Sequence, residues 1–325
     1  MQEESQSPKP GAQWVTIDAD SAGQRIDNYL LTRLKGVPKS RIYRILRKGE
    51  VRINKARVKP EYRLQSGDLI RIPPLRLAER PPVPVPSQSL WHCLSNAILF
   101  EDEGLMVVNK PAGIAVHGGD GVSLGLIEAM RQVRSDCPYL ELVHRLDKET
   151  SGCVMLAKKR SRLRALQAFL RSAGGVDKRY CALVVGAWPE KAVLVDAPLL
   201  RMELADGNRI VKVKPDGKPS QTQFRILERF QLPGVGDLTL VEAKPLTGRT
   251  HQIRVHAQYL GHPLVGDSKY GRDDINRSLA AKLPLRLCLH AAQLAIPGHE
   301  GGDLVVEAPL PGDFASLLDV LRSGN

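Results

Sequence analysis

No run of apolar residues in this 325-residue chain approaches the roughly 18 that cross a bilayer. The opening Met1-Gln2-Glu3-Glu4-Ser5 has none of the basic and apolar character of a secretory signal. A membrane or secreted protein is therefore not expected, and a cytoplasmic one is. Cysteine is also scarce: Cys93, Cys137, Cys153, Cys181 and Cys288 are odd in number, widely scattered and never arranged as Cys-x-x-Cys. That argues against a disulfide framework and a zinc knuckle, and for reduced, mostly buried thiols. The glycine-rich stretch His117-Gly118-Gly119-Asp120-Gly121 lacks the spacing and the closing Lys-Ser/Thr of a phosphate loop. His251 and His256 stand five apart rather than the four that puts two histidines on one helical face for zinc, so no metal site is expected.

Acidic residues are in short supply too. Lys and Arg number 47 against 35 Asp and Glu, a formal charge of +12 with a pI near 9.6, which points to a polyanionic partner. The excess is local. Arg25 to Pro73 holds fourteen Lys or Arg against four Asp or Glu, ten of the twelve net charges. The length predicts about two domains, and 42% apolar residues suffice for a real core. Residues 1–24 read as a loose lead-in, 25–73 as a basic module, 74–90 as a Pro-rich linker and 91–325 as the larger domain. Within the module, Pro38 to Gly49 predicts a short amphipathic helix, with Ser40 as its cap, Ile42, Ile45 and Leu46 inward and a basic outer face. Two short strand signals follow, in Glu50 to Val58 and in Ser66 to Pro73. Like charges at helical spacing repel unless phosphates neutralise them, which favours nucleic acid over a merely solvated face.

The larger domain carries two dense polar motifs. Leu142-Val143-His144-Arg145-Leu146-Asp147-Lys148-Glu149-Thr150-Ser151-Gly152-Cys153-Val154-Met155-Leu156 predicts strand, polar turn, strand, with Asp147 set among His144, Arg145 and Lys148. Taken alone, such a turn is most often a solvated bend. Leu246 to Gly261 predicts a helix capped by Thr250, with Ile253, Ala257 and Leu260 on its apolar side and Arg254 able to reach a carboxylate on a neighbouring strand. Between them, Asp177 to Gly186 reads as a strand with Tyr180 at its polar end. Ser161 to Ser172 reads as a basic-faced amphipathic helix, residues 193–245 as several strands, and Gly312 to Leu321 as a last helix.

Two resemblances follow from these residues. Arg25-Ile26-Asp27-Asn28-Tyr29-Leu30, Ser40-Arg41-Ile42, Arg47-Lys48-Gly49-Glu50-Val51-Arg52-Ile53-Asn54 and Gly67-Asp68 resemble the small RNA-binding domain of the fourth small-subunit ribosomal protein, the alpha-L motif. The resemblance implies that Lys39, Arg41, Arg44, Arg47, Lys48 and Arg52 meet RNA. Asn109-Lys110-Pro111-Ala112-Gly113, His144-Arg145-Leu146-Asp147 with Thr150-Ser151-Gly152, Lys178-Arg179-Tyr180, Gly248 to His256, and Val265-Gly266-Asp267 with Tyr270-Gly271 resemble the RluA-type pseudouridine synthases. That implies an α+β chain in which the small RNA-binding domain precedes a mixed α/β catalytic domain with a long, largely antiparallel sheet. It further implies isomerisation of uridines in structured large-subunit ribosomal RNA, the target uridine flipped out, by a monomer with no cofactor. In this reading Asp147 initiates cleavage, Tyr180 stacks on the base and is a candidate proton acceptor, and Arg254 pairs with Asp147. Arg145, His144, Lys110 and Arg249 contact substrate. A transfer RNA substrate, a noncatalytic ribosome-assembly factor and a nucleosidic hydrolase are the alternatives.

Overall fold

The computed structural model describes residues 11–34, 36–75, 84–119, 122–172, 175–189, 193–204, 207–281, 284–299, 301–323. Residues 1–10 of the expected lead-in, 76–83 of the expected linker, and Asp120 and Gly121 of the glycine-rich loop lie outside them. The chain divides into two compact units, residues 1–83 and residues 84–325.

In the first unit, β1 (Gln13–Thr16), α1 (Ile26–Arg33), α2 (Lys39–Arg47), β2 (Arg52–Ile53), β3 (Ala56–Arg57) and β4 (Leu69–Ile72) build a four-stranded sheet in the order β1-β4-β2-β3 beside two helices. Ile26, Leu30, Ile42, Ile45, Leu46, Val51, Ile53, Ile70 and Ile72 form its core. Two expectations are corrected here. The lead-in is not loose throughout: β1 pairs antiparallel with β4 and Ile17 is buried. Ser40 is not a cap either, because Pro38, with its fixed backbone, occupies the position before the helix and Ser40 lies inside it. The helix stops at Gly49, whose φ of +67° no side chain adopts readily.

The second unit runs α3 (Gln88–Ser95), β5 (Ile98–Glu101), β6 (Leu105–Lys110), α4 (Leu126–Val133), β7 (Glu141–Leu142), β8 (Ser151–Ala157), α5 (Arg160–Phe169) and β9 (Asp177–Val185). It continues with β10 (Val193–Asp196), β11 (Leu199–Glu203), β12 (Arg209–Val213), β13 (Gln221–Leu232), β14 (Gly236–Pro245), α6 (Gln252–Tyr259), α7 (Asp273–Ala280), β15 (Leu289–His299), β16 (Gly302–Glu307) and α8 (Gly312–Ser323). The Pro-rich linker therefore ends earlier than expected: Ser87 caps α3 through a hydroxyl that accepts from the Leu90 N–H, and Pro84 onward belongs to this unit.

One ten-stranded sheet follows the path β10-β13-β14-β9-β15-β8-β6-β5, with β16 on β15 and β7 on β8. Every pairing in it is antiparallel except β15 with β8. The two-residue alternation of strand side chains explains why the middle strands are apolar throughout. Met106, Val108, Val154 and Leu156 pack with Leu126, Ile127 and Met130 of α4 on one face. Leu105, Val107, Cys153 and Met155 pack with Leu166 of α5 on the other. The hairpin β11–β12 stands apart from this sheet and packs Leu199 and Val211 on Val255 of α6 and on Tyr270.

Candidate active site

The Asp147 turn is built where β8 crosses β15. The parallel pairing covers His290 with Ser151 and Ala291 with Gly152, and Gly152 takes φ +108°. A Cβ there would lie 2.2 Å from the Ala291 carbonyl oxygen, so only glycine lets the strands approach so closely. Beside it, the Ser151 hydroxyl lies 2.9 Å from Nδ1 of buried His290, whose Nε2 reaches the Ala308 carbonyl at 3.1 Å. The turn is also tied from beneath. Lys110 is fully buried, and its Nζ donates to the carbonyls of Pro111, Ile114 and Lys148 at 2.8, 2.9 and 3.0 Å. Burial pulls its pKa down to about 7, and three carbonyl oxygens are what an ammonium's three N–H groups require in place of water. The expected substrate contact by Lys110 is thus corrected: it carries no exposed surface and holds the Asp147 turn instead.

The second motif starts its helix one residue later than expected. His251, in the left-handed conformation at φ 54°, precedes α6, so Thr250 does not cap it. The entry is fixed by Gln252, which is buried. Its Oε1 accepts from the Arg249 N–H and the Thr247 hydroxyl, and its Nε2 donates to the Gln221 carbonyl and the Thr222 hydroxyl oxygen. His256 is equally committed, to Thr222 at 2.8 Å and to the Ala197 carbonyl at 3.0 Å.

One turn into α6, Arg254 points at Asp147. Its Nη1 is 3.3 Å from Oδ2 of Asp147, while Nε and Nη2 grip both oxygens of Asp267 at 2.7 and 2.8 Å. The guanidinium is 8% exposed and lies 5.0 Å from the centre of the Tyr270 ring. Burial works against both charges of the Arg254–Asp267 pair. The bidentate bond outweighs it, holding the arginine more firmly protonated than usual and the aspartate below the usual carboxylate range. Asp267 also accepts from the N–H groups of Lys269 and Tyr270.

Asp147, His251 and Arg254 line an open cavity of about 870 Å³ together with Tyr180, His144, Arg145, Arg171, Lys178 and Arg249, while Asp267 and Tyr270 lie behind it. Among the described lining residues Asp147 is the only carboxylate. Tyr180 is buried on β9, and burial, reinforced by the charge of Asp147, pushes its phenol above the ordinary value. A neutral phenol with a raised pKa is a poor base, so this setting does not favour the proton-acceptor role considered for Tyr180; its flat ring is available for stacking. His144 is in the wall, yet Nε2 accepts the Met155 N–H at 3.2 Å and burial depresses its pKa to about 3. It is a neutral, committed side chain rather than a free substrate contact. Arg145 is exposed and its side chain makes no hydrogen bond among the described residues, whereas Arg249 spans to the Pro219 carbonyl. Lys178 faces the cavity two residues before Tyr180 on the same strand face, its pKa lowered by burial.

In the first unit, Arg41, Arg44 and Arg47 line one groove with Val37, Pro38 and Ser40. Lys39 and Lys48 flank the same helix without lining it, and Arg52 folds back onto the Gly49 carbonyl at 3.2 Å. Sequence reasoning assigned no site role to Asp267, Tyr270, His251 or Lys178. Asp267 and Tyr270 lay in the string Val265-Gly266-Asp267 with Tyr270-Gly271 that carried the resemblance, but nothing in it paired Asp267 with Arg254; Gly266 takes φ +73°, and a Cβ there would strike the Arg286 carbonyl oxygen at 1.8 Å.

Comparison with known proteins gives the family. The model of the RNA pseudouridylate synthase family matches residues 104–259, and that of the S4 domain matches residues 24–70. A protein of Pasteurella multocida (strain Pm70) named ribosomal large subunit pseudouridine synthase C is 52% identical over 310 residues, 95% of this chain and 93% of that protein. One of the same name in Escherichia coli (strain K12) is 51% identical over 318 residues, covering 97% and 98%. Among solved structures, human RNA pseudouridylate synthase domain containing 4 aligns with a TM-score of 0.58 at 30% identity, over 72% of this chain and 96% of that one.

Proposed function

The chain belongs to the RNA pseudouridylate synthase family, enzymes that isomerise uridine to pseudouridine, and we propose that it acts on large-subunit ribosomal RNA with Asp147 initiating the reaction. The isomerisation breaks the bond from ribose C1′ to uracil N1, turns the base and joins C1′ to C5. The C5 hydrogen leaves as a proton, N1 gains one, and no electron is transferred overall, so the chemistry calls for no redox cofactor. A uridine must first leave its stack, at a cost of a few kcal/mol that favours loops and ends of structured RNA.

The observation that carries the assignment is the isolation of Asp147. It is the one carboxylate among the described cavity residues, aimed by Arg254, which is itself fixed by Asp267. A carboxylate directed into the cavity is what initiating glycosidic cleavage requires. Tyr180 offers its ring to the loosened base. Arg145, unpaired at the rim, reaches a phosphate or fills the space the flipped base leaves. Arg171, Lys178 and Arg249 surround the entrance with charge suited to an RNA backbone. The strongly basic first unit and the names of the relatives favour ribosomal over transfer RNA, and we assign the action to the cytoplasm and to a single chain.

The test is release of tritium from uracil C5 in unmodified large-subunit ribosomal RNA transcripts by purified protein. Parent enzyme releases tritium without liberating free uracil, and Asp147→Asn folds and binds but releases none. Substantial turnover by Asp147→Asn sinks the assignment of Asp147. Release from transfer RNA transcripts and none from ribosomal RNA sinks the assigned substrate.

A further inference from the structure

His251 enters the site for a reason unrelated to metal binding. A non-glycine residue at φ 54° sits in a sparsely populated region, and backbone of that kind persists where surrounding contacts over-determine it. Here the contacts are to Tyr270 and Asp147. Tyr270 is 2% exposed, stands edge-on to the imidazole with ring centres 5.4 Å apart, and has its phenol oxygen 2.7 Å from Nδ1. The same oxygen accepts the Val211 N–H at 3.0 Å. Among the described residues the phenol has no other acceptor for its own proton, so Tyr270 donates to Nδ1 and the imidazole carries its hydrogen on Nε2. Burial favours this neutral form, as do the charges of Arg254 and Lys269, against the pull of Asp147 and Asp267.

Nε2 faces Oδ2 of Asp147 at 3.8 Å, the oxygen that also receives Arg254 at 3.3 Å. Oδ1 has no protein partner among the described residues. Catalytic hydrogen bonds that are long in an empty site tighten when substrate is bound. On the reading that Asp147 initiates cleavage, we propose that His251, held as the Nε2–H tautomer by Tyr270, is a positioning residue that closes on Oδ2 when a uridine is bound and leaves Oδ1 to the ribose. The relay runs from the hairpin β11–β12 through Val211, Tyr270 and His251 to the carboxylate. Each link is neutral, so the clamp steadies Asp147 without the full proton-donating strength of a second cation.

The test is steady-state tritium release from C5-labelled ribosomal RNA transcripts by His251→Asn, His251→Gln and Tyr270→Phe, with melting curves and RNA affinity measured in parallel. Asparagine tolerates the left-handed backbone and can still meet Tyr270, but it is too short to reach Asp147. Its kcat falls about 10- to 100-fold, the worth of one hydrogen bond to a charged group, while KM holds within about 3-fold. Glutamine, whose amide nitrogen reaches the place of Nε2, recovers most of the lost kcat, and Tyr270→Phe loses about 5- to 10-fold through the disordered tautomer. A kcat for folded His251→Asn within about 2-fold of parent overturns the inference. So does a rise in KM at constant kcat, which would make His251 an RNA contact, and so does glutamine performing no better than asparagine. Should His251→Asn not fold, Tyr270→Phe with unchanged kcat overturns it and the same loss in kcat alone supports it. Asp147→Asn run alongside separates the two readings: if it is active, the assignment of Asp147 fails; if it is inactive while His251→Asn is fully active, only the role of His251 fails.

Discussion

The two units of this chain hold their cations in opposite ways. In the first, Lys39, Arg41, Arg44 and Lys48 make no ion pair among the described residues, and all but Arg41 are exposed. In the second, Arg254 is buried and bonded to two carboxylates, and Lys110 is buried and bonded to three carbonyls. An exposed, unpaired cation is cheap to place and waits for a phosphate; its contribution is sensitive to salt and spread over several residues. A buried cation stands only where its partners compensate lost water, and then it fixes geometry to a fraction of an ångström. Recognition and reaction are thus assigned to charges of different kinds, and the two respond to different perturbations.

The sharpest test of the contrast lies in the cavity. Asp147→Asn is expected to reduce tritium release at least about 1,000-fold with RNA affinity and melting temperature preserved, the size of loss seen when an initiating group is removed. Next comes Arg254→Ala, which strands Asp267 in the interior. A loss of about 3 to 5 kcal/mol in unfolding free energy is expected, read by denaturant titration, and an unchanged midpoint would contradict a buried pair. Gly152→Ala should cost about 2 kcal/mol or more by the same measurement, because both its backbone angle and the Ala291 carbonyl oppose a methyl group. On the other side of the contrast, replacing Arg41, Arg44 and Arg47 together by alanine should leave stability nearly untouched. The slope of log affinity against log salt should fall by up to about 2 to 3, with kcat at saturating RNA retained. Stability that dropped as far as in Arg254→Ala would erase the distinction.

The smallest expected effect is a matter of pH. The His144 pKa is depressed to about 3 from an ordinary value of 6.5 by burial, so between those values the unfolded chain binds a proton that the folded chain refuses. The stability tied to His144 is fully present above 6.5 and is lost as pH falls toward 3. His144→Gln, which keeps an acceptor for the Met155 N–H, should flatten that part of the melting-temperature profile. Half-buried His251 and buried His256 and His290, lowered in the same direction, leave the remainder of the acid slope in place.

Sequence made the candidate site legible because Asp147, Tyr180 and Arg254 each lie in a short string whose composition is unusual by itself. The strands around them were legible as long runs of apolar and β-branched residues, since β8, β9, β13 and β14 span 7 to 12 residues. What stayed hidden depends on distance through the fold. Asp267 is recognisable as the anchor of Arg254 only once α6 and the turn after it are folded together, and nothing local marks the pair. Lys110 read as a substrate contact because a lysine beside a turn is usually exposed; its burial is decided by Ile114 and Lys148 coming over it. β1 was missed because four mostly exposed residues carry little periodicity, and their strand character is supplied by the partner β4. The caps at Ser40 and Thr250 each look right by type, but Pro38 and the Gln252 network determine where the chain actually turns into helix.

The parallel seam between β8 and β15 also sets a timetable for biosynthesis. Residues 151 and 152 seat against residues 290 and 291, so the floor of the Asp147 turn is laid almost 140 residues after the turn itself has been synthesised. Until β15 arrives, β8 and β9 each expose an unpaired edge at the middle of the future sheet, and such non-local closure is slow compared with helix formation. A nascent chain that has emitted Asp147, Tyr180 and Arg254 thus already holds the proposed site residues but not the strand against which Ser151 and Gly152 seat. On the proposed assignment, the site is complete only when this one late strand has been made.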